Sequence, residues 1–128
     1  MNALLALTLL ASVVLLVQSA PPSTTYSTKY DHLDVDAIIS NDRALMAYIK
    51  CLLDETPCAT AEGREFRKNL PEALRTNCSK CTDAQKNIIR KLAKSTIEKH
   101  PKEWEKIKNK YDPKGEHHEA FSKFLKGE

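Results

Sequence analysis

The chain has 128 residues, with 20 Lys and Arg, 17 Asp and Glu, and a formal net charge of +3. This length suits a single domain with one modest core. Because both signs of charge are interspersed and form no basic stripe, the composition excludes a nucleic-acid-binding surface, and we interpret the lysine-rich stretches as solvated helix faces.

The N-terminus is an unbroken apolar run over residues 3–17. Val17 and Ser19 are small residues spaced as signal peptidase requires, which predicts cleavage after Ser19. A membrane anchor is the alternative, but residues 3–20 lie at the low edge of the roughly 17–25 residues of a span, and no basic cluster follows. We therefore predict a secretory signal peptide at residues 1–19 and an extracellular protein without stable membrane insertion.

The mature chain begins with a stretch rich in Ser, Thr and Pro, and we therefore predict an extended arm over residues 20–30. Asp34 is a candidate N-cap for a short first helix, because its carboxylate can accept from free first-turn amides. The inner face of that helix carries Val35, Ile38 and Ile39.

Asn41 or Asp42 is a candidate cap for a second helix, which should end at Thr56-Pro57. Its apolar residues recur at helical spacing and line one face: Leu45, Tyr48, Ile49 and Leu52.

A third helical stretch opens near Thr60 or Ala61, with Phe66, Leu70 and Leu74 in register. Pro71 interrupts it and predicts a kink or a break, since proline lacks the amide and clashes with the preceding turn.

The fourth helix should begin near Ser79 or Thr82 and run to about Glu98. Its inner face is formed by Ala84, Ile88, Ile89 and Leu92.

Pro101 suits the first position of a fifth helix. The buried face of this helix carries Trp104, Ile107 and Tyr111. Residues 112–115, Asp-Pro-Lys-Gly, form a turn signal. A final helix then presents Ala120, Phe121, Phe124 and Leu125.

No stretch alternates apolar and polar residues for long enough to predict a strand. The pattern therefore predicts an all-α fold of about six short helices, forming a single domain over residues 20–128.

Four cysteines are spaced C-x6-C-x19-C-x2-C: Cys51, Cys58, Cys78 and Cys81. In a secreted protein such a cluster indicates two disulfides, and spacing alone leaves three connectivities open. A redox-active C-x-x-C and a zinc site are the alternatives. We disfavour both, because no strand precedes the C-x-x-C and the first spacing is wide for a zinc pair.

The words around these cysteines resemble those of the insect chemosensory proteins, also called olfactory-segment-D-like, ejaculatory bulb-specific or pherokine-like proteins. They are YDHLDVD at 30–36, YIKCLLD at 48–54, LPEAL at 70–74, CSKC at 78–81 and KYDPKG at 110–115. The resemblance covers residues 24–126. The central cysteine spacing is one residue longer than in the family's pattern.

The resemblance implies a compact shell of six helices around an apolar channel, with consecutive pairing of Cys51 with Cys58 and of Cys78 with Cys81. It also implies reversible binding of long-chain fatty acids, esters, alcohols, semiochemicals or cuticular lipids. Tyr48 is carried over as a channel-lining or gating aromatic, and Trp104 as a wall of the site.

The inward-facing residues of the helices complete the candidate ligand-binding set. We name Leu45, Tyr48, Ile49, Leu52, Phe66, Leu70, Leu74, Ile88, Ile89, Leu92, Trp104 and Tyr111. Taken singly, the aliphatic members suit ordinary core packing better than ligand contact, because helical apolar stripes usually pack.

The predicted function is that of a secreted carrier for small hydrophobic ligands, without catalysis, cofactor or metal. We expect a monomer, with a membrane receptor or a protein as a further candidate partner. The alternative is a secreted protein-interaction factor in development, cuticle formation or reproduction. The histidines, including the neighbours His117 and His118, are interpreted as exposed polar residues.

Overall fold

The computed structural model describes residues 25–128. Its helices are α1 Val35–Ser40, α2 Asp42–Leu52, α3 Ala61–Thr76, α4 Asp83–Lys99, α5 Pro101–Tyr111 and α6 His118–Leu125. No strand is present in this part of the chain. The predicted all-α fold of six short helices is therefore confirmed. The predicted signal peptide, and residues 20–24 of the predicted arm, lie outside the described residues.

Short polar side chains open the first four helices. Asp34, Asn41, Thr60 and Thr82 accept from first-turn amides of α1, α2, α3 and α4, respectively. At α4 two residues cap each other's backbone amides. The Thr82 hydroxyl accepts from the Gln85 amide, and the Gln85 side chain accepts from the Thr82 amide, both at 3.1 Å. These caps satisfy amides that the helices cannot bond internally, and they select Thr82 over Ser79 as the start of α4.

The sequence predicted a kink or a break at Pro71; helix α3 runs continuously through this residue, so the break is wrong. Pro71 lies on the exposed side of the helix, while Leu70, Ala73 and Leu74 on the opposite side are buried. The packing of these buried residues, which precede and follow Pro71 in the sequence, outweighs the roughly 3 kcal/mol that an interior proline costs a helix.

Two helices end on left-handed residues that are not glycine. Asp54 has φ 57° after α2, and Asn77 has φ 54° after α3. In each case the next residue's amide reaches back five positions, from Glu55 to Lys50 and from Cys78 to Ala73. Asp and Asn tolerate this conformation better than most residues, so both positions can carry the tight helix ending that glycine usually provides.

Helix α4 is the central element, and it packs against α1, α2, α5 and α6. Its adjacent residues Ile88 and Ile89 point into two different core clusters. The first cluster is Val35, Ile38, Leu45, Ile49, Ile88, Leu92 and Ile107. The second is Ala73, Leu74, Cys78, Cys81, Ile89, Phe121 and Phe124. Ala120, predicted to face inward, is exposed, because the inner face of α6 is already occupied by the two phenylalanines.

The four cysteines pair consecutively, as the resemblance implied. Cys51 in the last turn of α2 is bonded to Cys58, and Cys78 is bonded to Cys81 across the α3–α4 junction, with Cα–Cα distances of 4.8 and 4.9 Å. No cysteine is free, so no thiolate is available for the alternative zinc site. Both bridges close short loops at helix junctions, which leaves the helix faces between them uncrosslinked.

Candidate functional site

Residues 25–31 lie along the α3–α4 junction and are held there by hydrogen bonds. The Tyr26 amide donates to the Lys80 carbonyl at 2.8 Å. The Gln85 amide group donates to the Ser27 carbonyl at 2.9 Å and to the Asp31 carboxylate at 2.8 Å. Asp31 also accepts from the Thr82 hydroxyl at 2.8 Å. The segment therefore forms a fixed wall beside α3 and α4.

A first cavity of about 70 Å³ opens between this segment, α3 and α4. Its apolar surface comes from Leu33, Phe66, Leu70, Ala73, Cys81, Ile88, Ile89 and Leu92. Its polar lining comes from Tyr26, Ser27, Tyr30, Asp31, Tyr48, Glu62, Glu65, Asn69 and Gln85. An apolar interior with a polar mouth suits an amphiphilic molecule.

Hydrogen bonds hold the Tyr26 and Tyr48 side chains, which line the first cavity. The Tyr26 hydroxyl donates to Glu72 Oε1 at 3.0 Å, and Lys80 Nζ lies 3.3 Å from the same oxygen. Burial first, and then the Glu72 carboxylate, raises the pKa of Tyr26 to about 12. The hydrogen bond from Tyr26, followed by Lys80, lowers the pKa of Glu72. The Tyr48 and Thr60 hydroxyls lie 3.4 Å apart.

A second cavity of about 70 Å³ lies among α3, α4, α5 and α6. Its apolar lining is Leu52, Phe66, Leu70, Leu74, Ile89, Leu92, Ala93, Trp104, Ile107 and Phe121. Its polar lining is Thr96, Lys108, Asp112, His117, His118 and Ser122. Phe66, Leu70, Ile89 and Leu92 line both cavities and form the wall between them, which we call the partition.

The predicted ligand-binding residues fall into two groups. Those that line a cavity are Tyr48, Leu52, Phe66, Leu70, Leu74, Ile88, Ile89, Leu92 and Trp104. The structure places Leu45, Ile49 and Tyr111 away from both cavities. Leu45 and Ile49 are 1% and 2% exposed within the first core cluster. The Tyr111 hydroxyl donates to the Leu52 carbonyl at 2.6 Å, and burial raises its pKa.

Apart from Tyr48, sequence reasoning missed the polar lining of both cavities. Tyr26, Asp31 and Gln85 were not singled out, although the Thr82-x-x-Gln85 spacing is a capping-box signal that would have drawn attention to Gln85. His117 was expected to be exposed, but it is half-buried at the second cavity, where its amide donates to Asp112. His118 is exposed as expected, and it too borders that cavity.

Within residues 25–128, no cluster of three or more His, Cys, Asp or Glu side chains is placed to hold a metal ion. No helix in the same range has the length and apolarity to cross a membrane.

Residues 26–119 match the family model described as the insect pheromone-binding family, A10/OS-D. The chain is 46% identical over 105 residues to ejaculatory bulb-specific protein 3 of Drosophila melanogaster, covering 82% of each chain. It is 39% identical over 102 residues to allergen Tha p 1 of Thaumetopoea pityocampa, covering 80% of each.

Solved structures of chemosensory proteins have the same fold. One, in complex with bromo-dodecanol, matches with a TM-score of 0.71 at 30% identity, over 77% of this chain and 98% of that one. Antennal chemosensory protein A6 of the moth Mamestra brassicae matches with a TM-score of 0.65 at 30% identity, over 80% of this chain and 94% of that one.

Proposed function

The chain belongs to the insect pheromone-binding family A10/OS-D, and on this premise we propose that it is a secreted, non-catalytic carrier of long-chain hydrophobic molecules. The observation that carries the proposal is the pair of apolar cavities that share one wall. The apolar run at residues 3–17 supports secretion. A related structure that contains bromo-dodecanol supports a ligand with an alkyl chain and a polar head.

The driving force for binding is burial of the alkyl chain. Each methylene removed from water contributes about 0.8 kcal/mol before ordering costs are subtracted. The mouth supplies polar partners for the head group, since Tyr48 and Asn69 both border the first cavity. Binding of this kind discriminates weakly between chains that differ by one methylene.

The size of the cavities indicates how a long chain is accommodated. Each is about 70 Å³, while pockets for small molecules usually measure roughly 300–1,000 Å³. One cavity alone therefore suits only a short chain, and a longer chain must occupy both by displacing part of the partition. Leu70, Ile89 and Leu92 are buried, whereas Phe66 is only half-buried. We propose that the Phe66 ring is the side chain that moves.

Trp104 provides a direct test, because it is the only tryptophan and it lines the second cavity. Dodecanol titrated into the folded, disulfide-bonded protein should change the Trp104 fluorescence saturably. Tetraethylene glycol, which has a similar length but no long alkyl chain, should not. No saturable change with dodecanol, together with no displacement of a fluorescent fatty-acid analogue, would contradict the proposal.

A protein-interaction factor is the alternative from the sequence. Such a factor needs an apolar docking patch, and in residues 25–128 the exposed large hydrophobic side chain is Ile97 alone, at 41%. The two cavities give the carrier the stronger support.

A further inference from the structure

The mouths of the two cavities differ in charge. The first is bordered by three carboxylates, Asp31, Glu62 and Glu65, and its lining contains no Lys, Arg or His among the described residues. The ionisable residues of the second are Lys108, Asp112, His117 and His118. The polar head of a bound amphiphile therefore meets a different potential at each mouth.

The carboxylates of the first mouth have no cationic partner. None of the ion pairs within residues 25–128 includes Asp31, Glu62 or Glu65. The partners of Asp31 are the neutral side chains of Thr82 and Gln85. The negative charge of the three carboxylates is thus not neutralised by an ion pair.

Two positive features lie close to this mouth. Glu62 and Glu65 are near the N-terminus of α3, where the helix dipole offsets about half a unit charge. Lys29 is exposed, and its ammonium lies 5.5 Å from the centroid of the Tyr30 ring. Together they offset about half of the three negative charges, so the mouth of the first cavity stays negative.

We infer that the first cavity selects amphiphiles with a neutral or cationic head group, a long-chain alcohol or amine, over a carboxylate of the same chain length. A hydroxyl head group can donate to the carboxylate oxygens of Glu62 and Glu65, and hydrogen bonds to charged acceptors are strong. A fatty-acid carboxylate is repelled by the same oxygens. This inference rests on the proposed carrier function and names the ligand class within it.

The second mouth offers a carboxylate head group no free cation among the described Lys and Arg side chains that border it. Lys108 and Asp112 carry opposite charges there, although Lys108 is already paired with Glu105 at 2.8 Å. The Lys108 charge is thus already compensated, and the Asp112 carboxylate remains, so a carboxylate head group gains no attraction at the second mouth that would offset its repulsion at the first.

The test compares dodecanol, dodecylamine and dodecanoate by displacement of a neutral fluorescent probe at neutral pH and low ionic strength. In the unmodified protein, dodecanoate should bind more weakly than the other two. Removing one charge about 6 Å from an ionic head group changes its affinity about threefold in a water-like dielectric. The double variant Glu62→Gln/Glu65→Gln should therefore lower the ratio of the dodecanoate to the dodecanol Kd about tenfold.

Glu98→Gln is the matched control, since Glu98 is an exposed carboxylate on α4 that lines neither cavity. It changes the net charge by one unit, as Glu65→Gln does, and should leave the ratio of the two dissociation constants unchanged. The effect of the double variant should also shrink as salt is added, because salt screens exposed charges. Should the double variant not fold, Glu65→Gln alone should lower the ratio about threefold.

Tighter binding of dodecanoate than of dodecanol by the unmodified protein would overturn the inference. An unchanged ratio in the folded double variant would also overturn it while leaving the carrier function intact. Failure of all three ligands to bind would overturn the carrier function, and the selectivity with it.

Discussion

At the scale of single residues, an aromatic hydroxyl joins the N-terminal segment to α3. Tyr26 donates to Glu72, which also contacts Lys80. Burial first, and then the hydrogen bond to the ionised carboxylate, raises the pKa of Tyr26, while the same hydrogen bond lowers the pKa of Glu72. The contact thus keeps the proton on the Tyr26 hydroxyl and leaves the Glu72 carboxylate ionised.

The pKa of Tyr26, about 12 against an ordinary value of 10.0, predicts a loss of stability at alkaline pH. The folded protein keeps a proton that the unfolded chain releases above pH 10, so this contribution is complete below pH 10 and is lost as the pH rises through about 12. An ultraviolet titration of the tyrosines measures this shift. Compared with the unmodified protein, Tyr26→Phe should lack one tyrosine that ionises late, near pH 12 rather than pH 10.

Glu72→Gln should shift the late titration of Tyr26 to lower pH, because the acceptor loses its charge. Glu98→Gln, which alters a carboxylate with no contact to Tyr26, is the control. If Tyr26→Phe left the late part of the curve unchanged, the proposed contact with Glu72 would be wrong.

At the scale of helices, local signals were sufficient to predict most of the fold. Caps at Asp34, Asn41 and Thr60 and the proline at the start of α5 act within one helical turn, so they can be found in the sequence. The break expected at Pro71 was wrong because packing of the whole of α3 outweighed a local preference. The capping side chain of Thr82 also binds Asp31, a contact that no local pattern contains.

Thr82→Ala should lower the free energy of unfolding by about 1–2 kcal/mol, because α4 loses its N-cap and Asp31 loses a donor. Denaturant unfolding with the disulfides intact measures this loss. Thr56→Ala, at an exposed threonine in the α2–α3 loop, is the matched control and should change stability little. Equal losses in the two variants would contradict the capping role.

At the scale of the whole molecule, the sequence identified the inward-facing residues but not which of them border empty space. Ile49 and Leu92 were equally good candidates, since both lie on helical apolar stripes. Both belong to the first core cluster, but of the two only Leu92 also lines the cavities. The difference depends on the relative placement of α2, α3 and α4, which periodicity within one helix does not specify.

The partition predicts an unusual dependence of affinity on chain length. Hexanol has half the chain length of dodecanol and needs less of the shared wall to move, whereas dodecanol must displace the Phe66 ring. Phe66→Ala should therefore tighten dodecanol about tenfold relative to hexanol, since it removes the cost of exposing the ring, about 1–2 kcal/mol. Titration of the two alcohols into both proteins measures this ratio.

Phe124→Ala is the control for general loosening, because Phe124 is a buried phenylalanine that lines neither cavity. It should leave the ratio of the two affinities unchanged. Equal effects of Phe66→Ala on hexanol and dodecanol would mean that the partition does not limit chain length.

The central claim is that the alkyl chain lies inside the molecule, along the wall shared by the cavities. It is tested most directly by intermolecular nuclear Overhauser effects between isotope-labelled dodecanol and the methyl groups of the protein. We predict contacts to Leu70, Ile89 and Leu92, which line both cavities, and none to the exposed Ile97. Contacts to Ile97 without contacts to the partition would place the ligand on the surface and contradict the account.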